Sequence, residues 1–286
     1  MLYLPNILLT NLKYLMKIYD CFLFNDENHI LEIRLNELNK FVDYFVIIEF
    51  GQTHQGSKKG QLIDQKILKK FDKKIRYFYF ESFEENLGVW ERDSHQRNQI
   101  SKGIEDASQN DVIIISDIDE IPSLSLVDFS KINDFVYAFS QLHSMYKLNL
   151  YRENRWWIGS KLCLRKNLTS PQWLRVLKVN KKYSIFRIDK LFSKTYYRKF
   201  KVIENGGWHL AWLKNADQII KKINSYTHTE FNIEKYNQKN YIQQCIDKKT
   251  VFFDENEKLY FKKENLILPN YVNKNLDRYA EWILTE

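Results

Sequence analysis

The feature that most constrains the fold is a nearly unbroken apolar run, YFVIIEF, at residues 44–50. Such runs are typical of strands buried on both faces of a largely parallel sheet, because a strand with one face in water alternates apolar and polar residues. Comparable strand patterns occupy residues 17–24, 75–80 and 112–116. Helical patterns separate them at residues 30–38, 64–71 and 90–107. The alternation predicts an α/β fold with a mixed, mostly parallel central sheet flanked by helices.

The second half of the chain continues without a visible domain boundary. No stretch rich in Pro, Gly or Ser divides the 286 residues, which include only 8 Gly and 4 Pro. Further strands are predicted at residues 135–140 and 146–150, and helices at residues 216–226 and 233–245. We therefore predict a single domain over residues 17–286. Residues 1–16 are predicted to be an extension that the fold does not need, because the first strand starts directly after them.

Composition predicts a folded protein outside the secretory pathway. Aromatic residues make up 15% of the chain, far more than in disordered segments. Cys21, Cys163 and Cys245 are an odd and widely spaced set, which favours reduced core residues over disulfides. No apolar stretch is long enough to span a membrane, and residues 1–16 lack the pattern of a signal peptide. We therefore expect a cytoplasmic protein, either free or peripheral at a membrane.

The net charge of +8 is concentrated in one segment. Residues 161–201 include 13 Lys or Arg and one acidic residue, Asp189, whereas the rest of the chain is slightly acidic. Such a run is either a solvated basic face or a surface for an acidic partner. The candidate partners are an anionic membrane surface, a phosphorylated acceptor and nucleic acid, of which nucleic acid is the one that we least expect.

An acidic motif, Asp117-Ile118-Asp119, follows the strand pattern VIIIS directly. In layered α/β sheets, ligands bind beyond the carboxyl ends of the strands, so a site is expected here. Two carboxylates at such a turn can reach one hard cation, Mn²⁺ or Mg²⁺. The cation can stabilise the negative charge that builds on a leaving diphosphate. Alternatively, one of the two Asp residues caps the next helix, or the pair serves a nucleotidyltransferase or a phosphatase.

Other catalytic classes lack their signatures in this sequence. Neither GxxxxGK[ST] nor GxGxxG is present, which disfavours P-loop and dinucleotide-binding proteins. The absence of GxSxG argues against a serine hydrolase. The six His residues are scattered and contain no HExxH motif, which argues against a zinc hydrolase.

A set of segments carries a family resemblance: KIYDCFLFNDE, LEIRLNEL, VDYFVIIEF, WERDSHQRNQI, DVIIISDIDEIP and GGWHLAWL. In this order they are similar to glycosyltransferase family 17, over residues 17–254. The resemblance implies a GT-A-like fold, a divalent cation, and transfer of N-acetylglucosamine from UDP-N-acetylglucosamine to a glycan with inversion. We accordingly divide the domain into a nucleotide-sugar-binding half (17–122), an acceptor half (123–255) and a C-terminal tail (256–286). Residues 151–201 match the family least, so acceptor specificity is expected there.

The resemblance also assigns roles around the acidic motif. Asp119 is the predicted metal ligand, Asp117 contacts the metal or the ribose, and His209 completes the shell around the metal or the diphosphate. An inverting transfer needs a general base, for which Asp217 and Glu120 are the candidates. The structural alternatives are a packed histidine, an Asp that complements a helix dipole, and a Glu that pairs with an Arg.

Donor and acceptor contacts are predicted from residue type. Arg97 is expected to bind a phosphate, with Asn98 beside it on one helix, unless Arg97 instead pairs with Asp93 four residues earlier. Glu49, at the end of the second strand, suits the nucleoside or is a polar strand end. The flat side chains on which sugars could stack are Trp156, Trp157 and Trp208. The alternative is that these tryptophans belong to the core.

The sequence therefore predicts a metal-dependent inverting glycosyltransferase. A nucleotidyltransferase that uses the same Asp pair is the nearest enzymatic alternative. A non-catalytic module that binds anionic lipid or nucleic acid through the basic segment is the alternative of another class. It would leave Asp117 and Asp119 without a role.

Overall fold

The computed structural model describes residues 16–179, 199–225 and 227–285, which form an eleven-stranded sheet with helices packed against it. The first four strands are β1 (Ile18–Phe24), β2 (Tyr44–Phe50), β3 (Ile75–Phe80) and β4 (Val112–Asp117). The later strands are β5 (Glu120–Pro122), β6 (Val136–Met145), β7 (Leu150–Leu164), β8 (Phe200–Ile203), β9 (Gly207–Ala211), β10 (Thr250–Val251) and β11 (Asp254–Phe261). The α-helices are α1 (Asn28–Leu38), α2 (Gln65–Lys70), α3 (Val89–Asn98), α4 (Ile100–Gly103), α5 (Pro171–Val176), α6 (Ala216–Ile223), α7 (Lys239–Asp247) and α8 (Asn270–Asn273).

The main path of the sheet has the strand order β3, β2, β1, β4, β7, β6, β9, β5. The first half, from β3 to β4, is parallel throughout. Antiparallel pairs join β4 to β7, β7 to β6 and β9 to β5, whereas β6 is parallel to β8 and β9. The predicted mixed sheet with flanking helices is confirmed, and its purely parallel part is the first half.

The parallel half follows from the apolar patterns in the sequence. Every residue of β2 after Tyr44 is buried. Because successive side chains of a strand point to opposite faces, Ile47 packs into one core together with α1, and Val46 and Ile48 pack into a second core with Ile100 of α4. Burial on both faces is what the run at residues 44–50 requires.

The prediction of a strand at residues 146–150 is wrong. β6 ends at Met145, the chain turns at Tyr146, whose φ is 65°, and β7 begins only at Leu150. Tyr146 is fully buried, and its hydroxyl accepts a hydrogen bond from Phe252 N at 2.9 Å. The apolar character of these residues reflects a buried turn and not a strand.

Two predicted helices also begin or divide differently. The helix expected at residues 90–107 is divided into α3 and α4. The helix expected at residues 233–245 begins at Lys239, after a 3₁₀ turn at Glu234–Asn237.

Beyond β11, the chain returns to α1, where the Glu37 carboxylate accepts hydrogen bonds from Asn270 Nδ2 and Tyr271 N, both at 2.8 Å.

The cysteines are buried free thiols, as the sequence predicts. No helix within residues 16–179, 199–225 and 227–285 has the length and apolar content needed to cross a membrane. Residues 1–15 of the predicted extension and residues 180–198 of the basic segment lie outside the described residues.

Candidate active site

The acidic motif lines a cavity of about 550 Å³ at the carboxyl end of β4. Leu23 and Asn25, at the end of the neighbouring β1, line the same cavity. The strand order reverses between β1 and β4, because β2 and β3 lie on one side of β1 and β4 lies on the other. Ligands in open α/β sheets bind at such a switch point. The fold therefore brings the acidic motif to the place where a ligand is expected.

Two arginines hold the Asp117 carboxylate. Arg97 Nη2 donates to Oδ1 at 3.0 Å, and Arg175 Nη2 donates to Oδ2 at 2.6 Å. Arg97 also forms the expected ion pair with Asp93, with Nη1 2.7 Å from Oδ2. Burial disfavours the charged carboxylate, yet Arg175 and Arg97 together hold the pKa of Asp117 well below its usual range. Asp117 therefore stays ionised and orients two guanidinium groups at the cavity.

The Asp119 carboxylate has more distant partners. Lys222 Nζ lies 3.4 Å from Oδ2, and His209 Nε2 lies 3.8 Å from Oδ1. Burial raises the pKa of Asp119 to about 6; Lys222 opposes this rise, and the carboxylates of Asp117 and Glu120 add to it. Crowded carboxylate oxygens of this kind are suitable ligands for a hard cation.

Lys222, on α6, links Asp119 to a second carboxylate. Its Nζ lies 3.1 Å from Glu27 Oε1, and Lys214 Nζ lies 3.8 Å from the same oxygen. Although burial opposes ionisation, Lys222 and Lys214 lower the pKa of Glu27. Acidic groups that follow β1 and β4 and an ammonium group from α6 thus form a connected charge network at the cavity.

Glu120, the first residue of β5, is almost fully buried beside the acidic motif. Its Oε2 accepts from Asp117 N at 3.0 Å, and its Oε1 accepts from Trp157 Nε1 at 2.5 Å and Arg175 Nη2 at 3.0 Å. Gly159 of β7 leaves space for this carboxylate, because a Cβ there would lie 2.8 Å from Glu120 Cδ. A Cβ there would also lie 2.1 Å from Gln141 Oε1 and 2.8 Å from Trp157 Cδ1, so a larger residue would disturb the packing around Glu120.

His209 belongs to a buried aromatic cluster next to Asp119. Its ring stacks on His143 with centroids 4.3 Å apart and lies 5.0 Å from the Trp157 ring. Gly207, at φ 128°, lets β9 approach β5, because a Cβ there would lie 2.1 Å from Ile121 O. Burial and then His143 lower the pKa of His209 well below its usual value. Its buried Nδ1 has no hydrogen-bond partner in the described part of the chain.

These residues fit a divalent cation that binds together with a diphosphate. Among the residues that the structure describes, no three His, Cys, Asp or Glu side chains are grouped as a complete metal site. Asp119 offers carboxylate oxygens and His209 offers a neutral imidazole within 3.8 Å of them. Mg²⁺ is usually held by one or two carboxylates together with substrate phosphates. An incomplete protein shell is therefore the expected form of such a site.

The residues predicted to bind the donor are separated in the structure. Arg97 lines the cavity, whereas Asn98 is exposed and lies outside the described lining. Glu49 also lies outside this lining, and its buried carboxylate accepts from Leu62 N and from the Tyr77 hydroxyl, each at 2.7 Å. A donor-binding role for Asn98 or Glu49 stays a prediction.

Of the two predicted general bases, one lines the cavity and the other lies outside the described lining. Glu120 lines the cavity, whereas Asp217 is exposed in the first turn of α6 and outside the described lining. Asp217 Oδ2 lies 2.6 Å from Lys239 Nζ. An exposed pair of this kind matches the structural alternative for Asp217, a first-turn acid on a helix.

Of the predicted stacking residues, Trp157 lines the cavity and is 38% exposed. Trp156, its neighbour on β7, is also exposed but lies outside the described lining, because adjacent residues of a strand face opposite sides. Trp208 packs against the core that includes the buried residues of α1, and its Nε1 donates to Ile267 O at 3.0 Å. Stacking of a sugar on any of the three stays a prediction.

One wall of the cavity consists of rings that the sequence did not single out. This aromatic wall comprises Trp90, His228, Phe231 and Phe253. Trp90 is 57% exposed and meets His228 edge to face, with centroids 4.9 Å apart. His228 stacks on Phe231 at 5.8 Å, and Phe231 stacks on Phe253 at 4.9 Å. An exposed tryptophan at a cavity offers a flat apolar surface to a ligand.

Sequence reasoning also missed the charged partners of the acidic motif, namely Arg175, Lys222 and Glu27. Arg175 belongs to the basic segment, which predicted a surface role, although its guanidinium group faces Asp117 and Glu120. Glu27 follows β1 as Asp119 follows β4. Its position after a parallel strand could therefore have identified it as a candidate site residue. For Lys222, on an amphipathic helix, the sequence offered no comparable signal.

The model of glycosyltransferase family 17 matches residues 9–266, so the chain belongs to this family.

Three curated relatives are named β-1,4-mannosyl-glycoprotein 4-β-N-acetylglucosaminyltransferase. The proteins of Homo sapiens, Rattus norvegicus and Mus musculus are 24%, 23% and 23% identical to this chain, over 89% of its length. The chain spans about half the length of these relatives, 52% in each case. Among solved structures, a crystal structure of an active-site mutant of LgtC is 13% identical, with a TM-score of 0.27, over 53% of this chain and 58% of that chain.

Proposed function

We propose that this chain is a metal-dependent inverting glycosyltransferase that transfers N-acetylglucosamine from UDP-N-acetylglucosamine to a glycan. The observation that carries the proposal is the meeting of Asp119, His209, Arg97 and Arg175 in one cavity at the ends of β1 and β4. Carboxylate and imidazole suit a divalent cation, and guanidinium groups suit a diphosphate. Family membership and the names of the relatives support the sugar and the acceptor class.

In this proposal, the diphosphate of the donor binds beside Arg97, Arg175 and Lys222. Asp117 already holds both guanidinium groups, so little side-chain entropy is lost when they bind an anion. A divalent cation bound by Asp119 and His209 would stabilise the negative charge that develops on the leaving diphosphate. The acceptor oxygen bonds to the anomeric carbon as the bond to the phosphate oxygen breaks, and that electron pair leaves with UDP.

The acceptor is proposed to bind against the aromatic wall of Trp90, His228, Phe231 and Phe253. Sugars have an apolar face of C–H groups that packs on flat rings, and their hydroxyls need polar partners at the rim. Arg152 supplies such a partner, because it lines the cavity, pairs with Glu257 and lies 5.7 Å from the Phe253 ring. The wall includes no Asp, Glu, Lys or Arg side chain, which suits an uncharged glycan.

Glu120 is proposed as the general base that accepts the proton of the acceptor hydroxyl. It lines the cavity beside Asp119, whereas Asp217 is exposed and paired with Lys239. A base must come within hydrogen-bond distance of the reacting hydroxyl. Trp157 and Arg175, which donate to Glu120, would hold its carboxylate in a fixed direction.

The cellular setting is a further proposal. We propose a cytoplasmic enzyme whose basic segment, residues 161–201, contacts an anionic membrane surface. In the described part of this segment, Lys161 and Arg175 are directed inward: Lys161 Nζ donates to Arg175 O at 2.6 Å, and Arg175 pairs with Asp117. A membrane contact would therefore depend on the other basic residues of the segment.

The proposed function is tested by measuring UDP release from UDP-N-acetylglucosamine in the presence of Mn²⁺ and oligosaccharides that contain mannose or N-acetylglucosamine. We expect release that depends on both the acceptor and the cation. Asp119→Ala should lower the rate at least about 100-fold, since charge stabilisation in the transition state is lost. The matched control is Asp128→Ala, because Asp128 is exposed and pairs with Lys131 away from the cavity.

Two outcomes would overturn the proposal. Release that persists unchanged in Asp119→Ala, or after chelation of the cation, would contradict a metal-dependent mechanism at this motif. A nucleotidyltransferase would be identified if the protein released no UDP from UDP-N-acetylglucosamine but released pyrophosphate from a nucleoside triphosphate.

A further inference from the structure

Arg34, on α1, is a fully buried arginine beneath the acidic motif. Its Nε and Nη2 donate to the two carboxylate oxygens of Asp20, on β1, at 2.8 and 2.6 Å. The same Nη2 donates to Ser116 Oγ, at the end of β4, at 2.6 Å. The guanidinium group also lies over the Phe22 ring, 4.6 Å from its centroid. One side chain thus connects α1, β1 and β4 directly under the candidate site.

The remaining nitrogen of Arg34 is directed at the turn itself. Nη1 donates to the backbone carbonyl oxygens of Glu120 at 2.7 Å, Asp117 at 3.1 Å and Ile118 at 3.3 Å. Asp117 and Glu120 are the last and first residues of their ladders, paired with Leu23 and His209, and Ser160 Oγ also donates to Glu120 O at 2.9 Å, whereas Ile118 lies between the two ladders. A buried carbonyl without a donor costs roughly 1–3 kcal/mol. Arg34 therefore satisfies the backbone of the residues that carry the acidic motif.

Stability alone does not require a charged pair at this place. Removing an arginine and a carboxylate from water costs several kcal/mol, and an apolar pair of similar volume is often as stable or more stable. An apolar pair cannot, however, donate hydrogen bonds to the carbonyls of residues 117, 118 and 120. The geometry of Arg34 therefore serves the conformation of the turn.

We propose that Arg34 is the positioning residue that fixes the backbone of the acidic motif and thereby the directions of the Asp117 and Asp119 side chains. The opposite side of the turn is held by Leu210 N of β9, which donates to Asp119 O at 2.8 Å. The backbone is thus held from two sides, and the Asp119 carboxylate faces the cavity. The consequence for cation binding rests on the proposed function, whereas the consequence for the order of the turn does not.

The test replaces the charged pair by an apolar one. The double variant Asp20→Leu with Arg34→Met removes both charges and leaves neither buried alone. Asp20→Asn is its partner, because it removes the anion but keeps the donors of Arg34 to the turn. The control pair is Arg76→Met with Asp106→Asn, a bidentate ion pair that lies away from the cavity.

The readouts are thermal unfolding, amide hydrogen exchange and titration with Mn²⁺ alone, followed by electron paramagnetic resonance. In the folded double variant, we expect the amides of residues 117–120 to exchange at least about tenfold faster while β2 keeps its protection. Mn²⁺ affinity should fall at least about tenfold, since residues that orient metal ligands by hydrogen bonds typically have effects of this size. The control pair should retain both properties. Asp20→Asn should be less stable, because it leaves the Arg34 charge unpaired, but residues 117–120 should keep their protection relative to β2.

Protection of residues 117–120 at the wild-type level in the folded double variant would overturn the proposal. Equal loss of protection in Asp20→Asn would also overturn it, because the ion pair and not the bonds to the turn would then be responsible. If the double variant does not fold, the same exchange measurement on Arg34→Lys decides. One ammonium group cannot make all the hydrogen bonds that the guanidinium group makes to Asp20, Ser116 and the turn. If the wild-type protein binds no Mn²⁺, the metal part of the proposed function fails, and the exchange result still decides the role of Arg34.

Discussion

Lys222 Nζ lies 3.4 Å from Asp119 Oδ2. Its positive charge offsets the repulsion between the Asp119 carboxylate and the neighbouring carboxylates of Asp117 and Glu120. The same ammonium group pairs with Glu27 at 3.1 Å. Because it lines the cavity, it can also approach an anionic ligand there. Lys222 is therefore placed to balance charge at the acidic motif and to attract a diphosphate.

Lys222→Met is expected to weaken the binding of UDP in the presence of Mn²⁺ by at least about tenfold, because a charge-assisted hydrogen bond contributes roughly 1.5–3 kcal/mol. Isothermal titration calorimetry with UDP and Mn²⁺ measures the effect. Lys221→Met is the matched control, since Lys221 precedes Lys222 on α6 but is exposed and pairs with Asp26. Equal weakening in both variants would contradict a specific contact.

Asp119→Asn is expected to stabilise the protein in the absence of divalent cations. The folded-state pKa of Asp119 is about 6, above its usual value of 3.8, so its contribution to the free energy of unfolding is fully present below pH 3.8 and is lost as the pH rises through 6. At neutral pH the ionised carboxylate therefore destabilises the folded state by about 3 kcal/mol. The pKa of about 6 already includes the attraction of Lys222, so replacing the carboxylate by a neutral amide should recover most of this energy, about 2–3 kcal/mol.

Urea denaturation at several pH values, with a chelator present, measures this gain. Wild-type stability should fall between about pH 4 and pH 6 relative to Asp119→Asn, and the difference should be constant above that window. Added Mn²⁺ should stabilise the wild-type protein alone, because a ligand that binds the folded state raises its stability. A less stable Asp119→Asn variant at neutral pH would contradict the raised pKa.

Much of the first half of the fold was predictable, because β1, β2 and β4 are buried on both faces and consist of largely apolar runs, and β3 is a half-buried aromatic run. The predicted bounds of β2 and β3, residues 44–50 and 75–80, agree with the structure. The second half was harder to predict. β7 extends from Leu150 to Leu164 and includes polar residues, and the apolar turn at Tyr146 resembles a strand because it is buried.

The site was predictable where a residue follows a parallel strand and not where it reaches the cavity from elsewhere. Asp117 and Asp119 were found by their place after β4, and the structure brings both to the cavity. Arg175 and Lys222 come from helices distant in sequence, and only the packing of those helices brings them to the acidic motif. The sequence did not single out Arg34, which is fully buried on α1.

Glu120→Gln is expected to lower kcat by about 100-fold or more, with UDP binding retained, because general-base catalysis contributes roughly 10²–10⁴-fold. Trp157 and Arg175 both donate to Oε1, so the amide oxygen can keep these two bonds, and only the bond from Asp117 N to Oε2 is lost. Asp217→Asn is the comparison variant and should keep its activity within about twofold, as exposed ion pairs contribute little. The reverse pattern would identify Asp217 as the base. Steady-state kinetics with both substrates varied separates the two cases.

Trp90→Ala is expected to raise the KM for the acceptor by about 5- to 30-fold, because loss of one ring contact with a sugar removes roughly 1–2 kcal/mol of binding. Trp90 is 57% exposed at the aromatic wall, so its truncation should change the melting temperature little. Trp156→Ala is the matched control, since Trp156 is 47% exposed but lies outside the described lining of the cavity. UDP binding should be unchanged in both variants. Weakened UDP binding in Trp90→Ala would instead assign the aromatic wall to the nucleoside of the donor.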